Sequence, residues 1–142
     1  MDIKNNYKIK KANLYYLNQC LKWLENEYTK DGVGIYLEKY NFILPEFEEG
    51  RILVCIDKKT DKAIALLSTN FSIMSVKQDY QRKGLGTFLV KNCLKYHVKE
   101  RYIQLYSCTD EATKFWSTIG FEFLQNLRHG ALDLNNNNKN GK

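Results

Sequence analysis

The chain has 142 residues, 44% apolar and 13% aromatic, enough to bury a substantial core in one folded domain. That composition excludes disorder for the body of the chain, and no apolar run approaches the ~20 residues that cross a bilayer. The formal charge of +6 is uneven: residues 25–49 hold seven acids against two lysines, a net of −5, which leaves +11 elsewhere. A basic excess suits a polyanionic ligand such as a nucleotide-bearing molecule, nucleic acid, or solubility alone.

The opening MDIKNNYKIKK has no apolar stretch of the signal-peptide kind, so an intracellular protein, cytoplasmic or nuclear and without a membrane segment, is expected. Cys20, Cys55, Cys93 and Cys108 lie far apart with no C-x-x-C spacing and read as reduced, core-filling thiols. The only imidazoles, His97 and His129, have no paired ligand nearby, so no metal is expected.

In chain order, Ile3–Ala12 reads as a first strand. Asn13 is placed to cap a helix running to about Tyr28, with Leu14, Leu17, Leu21, Leu24 and Tyr28 as its buried stripe and Asp31-Gly32 as its end. A shorter helical stretch over Ile35–Ile43 is expected to break at Pro45. Arg51–Asp57 and Ala63–Ser68 form a hairpin through Lys58–Asp61, and Thr69-Asn70 turns the chain into a fourth strand, Phe71–Val76.

A basic, glycine-containing turn then leads into a helix over about Leu85–Val98, with Leu85, Leu89, Cys93 and Tyr96 facing inward. Tyr102–Cys108 follows as a strand, expected to lie parallel to the fourth because a long helix separates them. Thr109 or Asp110 caps a short helix with Ala112, Phe115, Trp116 and Ile119 on one face, ended by Gly120. Phe121–Gln125 and Gly130–Leu134 make a closing hairpin. The domain is thus expected over residues 1–134, and the Asn-rich tail 135–142 reads as disordered.

The turn, VKQDYQRKGLGTF over Val76–Phe88, carries the most chemistry. At the start of a helix the first amides have no partner and the macrodipole presents its positive end, an arrangement suited to a pyrophosphate. Gly84 and Gly86 leave no Cβ between ligand and amides, Thr87 adds a hydroxyl, and Arg82 and Lys83 add charge. A Walker loop is excluded because no lysine follows either glycine. A Rossmann fingerprint is excluded because Leu89 stands where a third small residue belongs.

The order strand, V-x-x-x-Y-Q-R-K-G-x-G-T, helix resembles motif A of the GNAT-type N-acetyltransferases, [QR]-x-x-G-x-[GA], with Gln81, Gly84 and Gly86 at its defined positions. A second segment, ATKFWSTIGFEFL over Ala112–Leu124, resembles the family's A-x-x-[FL]-Y-x-x-x-GF. The resemblance covers roughly residues 50–134. It implies a single-domain α/β fold: a mixed sheet of about seven strands, splayed between the fourth and fifth, flanked by about four helices. It also implies acetyl-CoA as cosubstrate. Met74, Ser75 and Val76 would give main-chain contacts to pantetheine and the acetyl carbonyl, with an N–H near Met74 as oxyanion donor. Gln81, Arg82, Lys83, Gly84, Leu85, Gly86 and Thr87 would form the pyrophosphate loop.

Two positions depart from the family pattern. Trp116 stands where most relatives have a tyrosine acid, and an indole N–H cannot deliver a proton. Asn70 falls where histone-acetylating members carry a glutamate base. Tyr106 is the candidate acid, with Ser107 and Thr109 able to hold a water chain; cross-strand packing is the structural alternative for Tyr106.

The expected activity is transfer of an acetyl group from acetyl-CoA to a primary amine by direct attack in a ternary complex. The alternative is a catalytically silent acyl-CoA-binding or regulatory module. Without a strong base, an α-amine, costing under about 1.5 kcal/mol to deprotonate at pH 7, is favoured over a lysine at about 4–5 kcal/mol. The acidic, aromatic stretch 25–49 argues instead for a cationic acceptor. No nucleic-acid partner is expected, since the lysines do not cluster with aromatics on one element, and the state is monomer or homodimer.

Overall fold

The computed structural model describes residues 3–97, 102–106, 110–123 and 129–133. It divides into two compact units, Met1–Cys93 and Leu94–Lys142.

In the first unit, four antiparallel strands lie in the order β1 (Tyr7–Lys11), β2 (Ile52–Asp57), β3 (Lys62–Ser68) and β4 (Met74–Val76). The first strand is shorter than its sequence implies, because Ile3–Asn6 forms a helical turn, α1. The register accounts for this: Tyr7 already faces Asp57, the last residue of β2, and the Lys58 amide closes the ladder on the Asn6 carbonyl at 2.9 Å.

Residues Ile52 to Ile56 of β2 are all buried. Alternation sends Ile52, Val54 and Ile56 to a core shared with α2 (Leu14–Asp31), and Leu53 and Cys55 to the opposite face. Helix α4 (Leu85–Cys93) also packs on β2 and β3. A strand covered on both faces has no wet side, hence its unbroken apolar run.

Asn13 does cap α2, its side chain accepting from the Tyr16 amide at 2.9 Å, and Gly32 ends it at φ 67. The buried stripe, however, is Tyr16, Leu17, Cys20, Trp23 and Leu24, while Leu14 is 59% exposed. Two aromatics with polar tips shift the stripe. The Trp23 indole donates to the Ala63 carbonyl at 3.0 Å, and the Tyr16 hydroxyl donates to Asp61 at 2.7 Å.

Beyond Gly32 the chain makes a 3₁₀ turn (Tyr36–Glu38), a π turn (Lys39–Ile43) and helix α3 (Leu44–Glu48). Pro45 therefore opens a helix instead of breaking one. It lies in the first turn of α3, where an N–H would have no helical partner anyway.

In the second unit β5 (Tyr102–Tyr106), β7 (His129–Asp133) and β6 (Glu122–Phe123) form an antiparallel sheet in the order β5-β7-β6. Within this sheet β5 pairs antiparallel with β7, Tyr102 facing Asp133 and Tyr106 facing His129. Helix α5 (Asp110–Ile119) ends at Gly120, φ 126, where the Gly120 and Phe121 amides both return to the Trp116 carbonyl. Gly130 leaves room for the Phe123 ring, which a Cβ there would meet at 2.5 Å. Ser107, Cys108, Thr109 and the tail 135–142 lie outside the described residues. Among the described residues no helix is long and apolar enough to cross a membrane, and no group of three or more His, Cys, Asp or Glu side chains could hold a metal ion.

Candidate functional site

Strand β4 is the last in its sheet's order, and its hydrogen bonds show which backbone groups it presents outward. The Ser68 amide donates to the Ile73 carbonyl at 3.0 Å and the Lys77 amide to the Ile64 carbonyl at 2.8 Å. In an antiparallel ladder such bonded positions alternate, so Ile73, Ser75 and Lys77 turn their main chain toward β3. Met74 and Val76 turn theirs to the other edge. Ser75, opposite Leu66, therefore spends its amide and carbonyl within the sheet. The Val76 carbonyl is taken by the Gln81 side-chain amide at 2.9 Å, which ties the turn back to the strand.

The strand is also shorter than the apolar run that predicts it. Phe71 sits in the left-handed region (φ 61) and is buried, so Phe71–Ile73 belong to the turn.

After β4 the chain passes through a 3₁₀ turn, Gln78–Tyr80, fastened at several points. The Gln78 amide donates to Glu27 of α2 at 2.9 Å, and the Tyr80 hydroxyl donates to Asp57 of β2 at 2.8 Å. The Tyr80 ring meets Tyr7 edge-on at 6.3 Å and lies under the Lys83 ammonium at 5.4 Å. Burial, then the bond to Asp57, pushes the Tyr80 phenol up to about 12. Burial likewise raises the Glu27 carboxyl, against the pull of the Gln78 amide and Lys77.

The glycine turn follows. Arg82 (φ 63) and Gly84 (φ 80) are both left-handed, with Lys83 between them at negative φ, an alternation of hand of the kind that turns successive amides to one side. The Phe88 amide donates to the Gly84 carbonyl at 3.0 Å, so Gly84 caps α4 and the amides of Leu85, Gly86 and Thr87 have no carbonyl of their own helix to reach. Arg82 and Lys83 are exposed and enter no ion pair among the described residues. A Cβ on Gly84 would meet Ile3 Cδ1 at 3.5 Å, an ordinary contact, so its backbone angle and not space demands glycine.

Both departing positions make packing or turn contacts. Asn70 turns the β3–β4 connection: its Oδ1 accepts from the Ser68 hydroxyl (2.8 Å) and the Ser72 amide (3.0 Å), and its Nδ2 donates to Glu46 (2.9 Å). Trp116 is buried, edge-on to Phe115 and Phe121 at 5.0 and 5.4 Å. Tyr106 is placed on β5 by its backbone; its side chain lies outside the described residues. Burial pushes the thiols of Cys20, Cys55 and Cys93 up to about 12, so none of them is a thiolate nucleophile near neutrality.

Sequence reasoning missed the fastenings Glu27, Asp57 and Glu46. Only Tyr80, conspicuous within the D-Y-Q-R-K-G run, signals that something must hold the turn.

A family model described as the acetyltransferase (GNAT) domain matches residues 38–123, more than half of the chain and all of the strand, turn and helix just described. The chain belongs to the GNAT acetyltransferase family. Solved GNAT-fold structures agree at low identity. A GNAT-family acetyltransferase from Staphylococcus aureus Mu50 is 13% identical, with 90% of this chain and 99% of that one covered at a TM-score of 0.67. A mosquito arylalkylamine N-acetyltransferase-like protein is 14% identical over 88% and 97%, at 0.66. A Brucella melitensis GNAT-family acetyltransferase, solved in complex with acetyl-CoA, is 14% identical over 89% and 87%, at 0.62. A search of curated proteins finds no match. As a GNAT acetyltransferase the chain carries the glycine turn at Gln81–Gly86 but neither the tyrosine nor the glutamate that its sequence motifs lead one to look for.

Proposed function

We propose that this GNAT protein transfers the acetyl group of acetyl-CoA to a primary amine by direct attack within a ternary complex. The observation that carries the reading is the turn itself: left-handed Arg82 and Gly84 immediately ahead of α4, whose first amides lack helical partners. The fit to a diphosphate is chemical. The turn supplies N–H donors, the positive end of a nine-residue helix, two exposed cations and a glycine surface, and contributes no carboxylate of its own. The Brucella relative's acetyl-CoA complex supports the same cosubstrate here.

In this reading the amides from Arg82 to Thr87 hold the diphosphate, with Arg82 and Lys83 adding charge. Met74 and Val76 offer the outward edge of β4 to the pantetheine arm, and Ser75 contributes packing. The Met74 amide faces the acyl carbonyl as oxyanion donor; such a preorganised donor is worth roughly 10²–10³ in rate. The cosubstrate supplies an acyl thioester whose thiolate leaves without a strong acid. Tyr106 on β5 is the candidate proton donor, and no enzyme nucleophile is required.

The acceptor is a protein or peptide amine or a small cationic amine. Asn70 at the usual base position favours an amine of low pKa. The exposed acids and aromatics of residues 25–49, Tyr40 at 73% exposure among them, favour a cation with an apolar neighbour. CoA release from acetyl-CoA, measured against peptide N-termini, lysine peptides, polyamines and arylalkylamines, tests the proposal. Turnover with any amine class supports it, and tight CoA binding with no turnover on the whole panel replaces it with a silent acyl-CoA-binding module. The full engagement of Asn70 and the packed Trp116 favour that second reading.

A further inference from the structure

A chain of hydrogen bonds crosses the first unit from Arg51 to the start of β4, and the reading of the site above gives it no part. The Arg51 guanidinium donates to Glu46 Oε2. Glu46 Oε1 accepts from Asn70 Nδ2 at 2.9 Å, and Asn70 Oδ1 accepts from the Ser68 hydroxyl at 2.8 Å. The Ser68 oxygen in turn accepts the Ile73 amide at 3.0 Å.

Each link has a reason. The Ser68 carbonyl, which would ordinarily pair with the Ile73 amide across the ladder, already accepts from the Phe71 amide at 2.9 Å. The Ser68 hydroxyl replaces it. Ser68 is fully buried, so its oxygen has no water to turn to. Its single proton has Asn70 Oδ1 as its nearest acceptor, with the Ser72 hydroxyl at 3.1 Å and the Ile73 carbonyl at 3.5 Å farther off. Asn70 is oriented at its other end by Glu46, whose side chain is only 12% exposed. Arg51 holds that carboxyl below its ordinary value, so it accepts and does not donate. The backbone is pinned as well, the Thr69 amide donating to the Arg51 carbonyl at 2.8 Å.

The residue after Ile73 is Met74, whose amide points to the outer edge of β4. We propose that Glu46 is a positioning residue: through Asn70 and Ser68 it holds the Ser72–Ile73 peptide, next to the Ile73–Met74 peptide whose carbonyl accepts from the Ser68 amide, and so steadies the turn that aims the Met74 amide at the acyl carbonyl. A carboxylate thus acts in the reaction without touching substrate, by setting the direction of one N–H. This inference rests on the function proposed above. It concerns turnover and not cofactor affinity, because the diphosphate turn is fastened separately, by Glu27 and Asp57.

An exchange of partners tests it. Asn70→Asp places a second carboxylate against Glu46, and adding Glu46→Gln restores one donor and one acceptor across the same gap. The probe is acetyl-CoA labelled with ¹³C at the carbonyl, its affinity read by calorimetry and its bound C=O stretch by difference infrared. Turnover is measured on the best amine of the panel, below each variant's melting temperature. Wild type is expected to lower the stretch on binding. Asn70→Asp is expected to lose most of that shift and roughly 10–100-fold in kcat, with affinity within about threefold, and the double variant is expected to recover both.

Should Asn70→Asp not fold, Glu46→Gln alone is read the same way, since its one amide oxygen cannot serve both Arg51 and Asn70. A folded single variant that keeps the full shift and full turnover overturns the inference, as does a folded double variant that recovers neither. Failure of wild type to bind acetyl-CoA is a different result: it removes the proposed function itself, and the inference with it.

Discussion

The Tyr80 hydroxyl donates to the Asp57 carboxylate at 2.8 Å, joining the approach to the glycine turn to the last residue of β2. An anion site made of main-chain amides is only as good as the fixity of its backbone, and this bond supplies part of it. Tyr80→Phe keeps the ring against Tyr7 and removes the bond. The expected result is a loss of about 1–2 kcal/mol in stability and several-fold weaker acetyl-CoA binding, read by thermal melts and calorimetry. Unchanged affinity would mean that the turn holds its shape without Asp57.

Gly84 and Gly86 should respond differently. Gly84→Ala meets only ordinary contact at Ile3 but must hold φ 80, which costs about 1–2 kcal/mol. It should lower the melting temperature and weaken cofactor binding together. Gly86→Glu, a charged side chain introduced among the amides proposed to hold the diphosphate, should abolish acetyl-CoA affinity with the fold largely intact. Circular dichroism alongside a binding titration separates the two effects.

Trp116 packs, so its indole N–H should be dispensable. Trp116→Phe is expected to keep kcat within a few-fold and an unaltered pH profile. Trp116→Ala should cost about 3–5 kcal/mol of stability. A large fall in kcat for the Phe variant, with a shifted alkaline limb, would give Trp116 a catalytic role.

Stability should fall at both ends of the pH range for identifiable reasons. The Glu46 carboxyl is held low by Arg51, so its contribution is present above the unfolded value of 4.5 and disappears as pH drops through the folded value. Tyr80, raised from 10.0 to about 12, contributes fully below 10 and loses its contribution as pH climbs toward 12. Glu27 works in the opposite sense: raised by burial, it favours the folded state more as it gains a proton. Denaturant melts across pH should show the acid limb shallower in Glu46→Gln and the limb between 10 and 12 shallower in Tyr80→Phe.

The glycine turn and the start of the helix after it were legible because both are local: residue spacing sets the backbone angles, and the amides follow, although the α-helix stops at Cys93, short of Val98. The fully buried β2 was legible from its unbroken apolar run. What was not legible depends on partners distant in sequence. Ile3–Asn6 cannot be a strand because β2 ends at Asp57, and Phe71–Ile73 cannot be one because the Ser68 hydroxyl captures the Ile73 amide. Pro45 opens a helix because it falls in the first turn of α3, a position that a lone proline does not announce. The face of α2 was misjudged by counting leucines, since Tyr16 and Trp23 bury their rings once their polar tips find Asp61 and Ala63. Asn70 was legible as a turn residue, but its hold by Glu46, from another element, was not.

The most direct test follows the backbone amides themselves. In ¹H–¹⁵N spectra recorded while CoA is added, the amides of Lys83, Gly84, Leu85, Gly86 and Thr87 are expected to show the largest shifts, moved downfield as they bond the diphosphate, and Gly86→Glu should erase them. Saturable shifts that leave these five amides in place and cluster elsewhere on the protein would contradict the account.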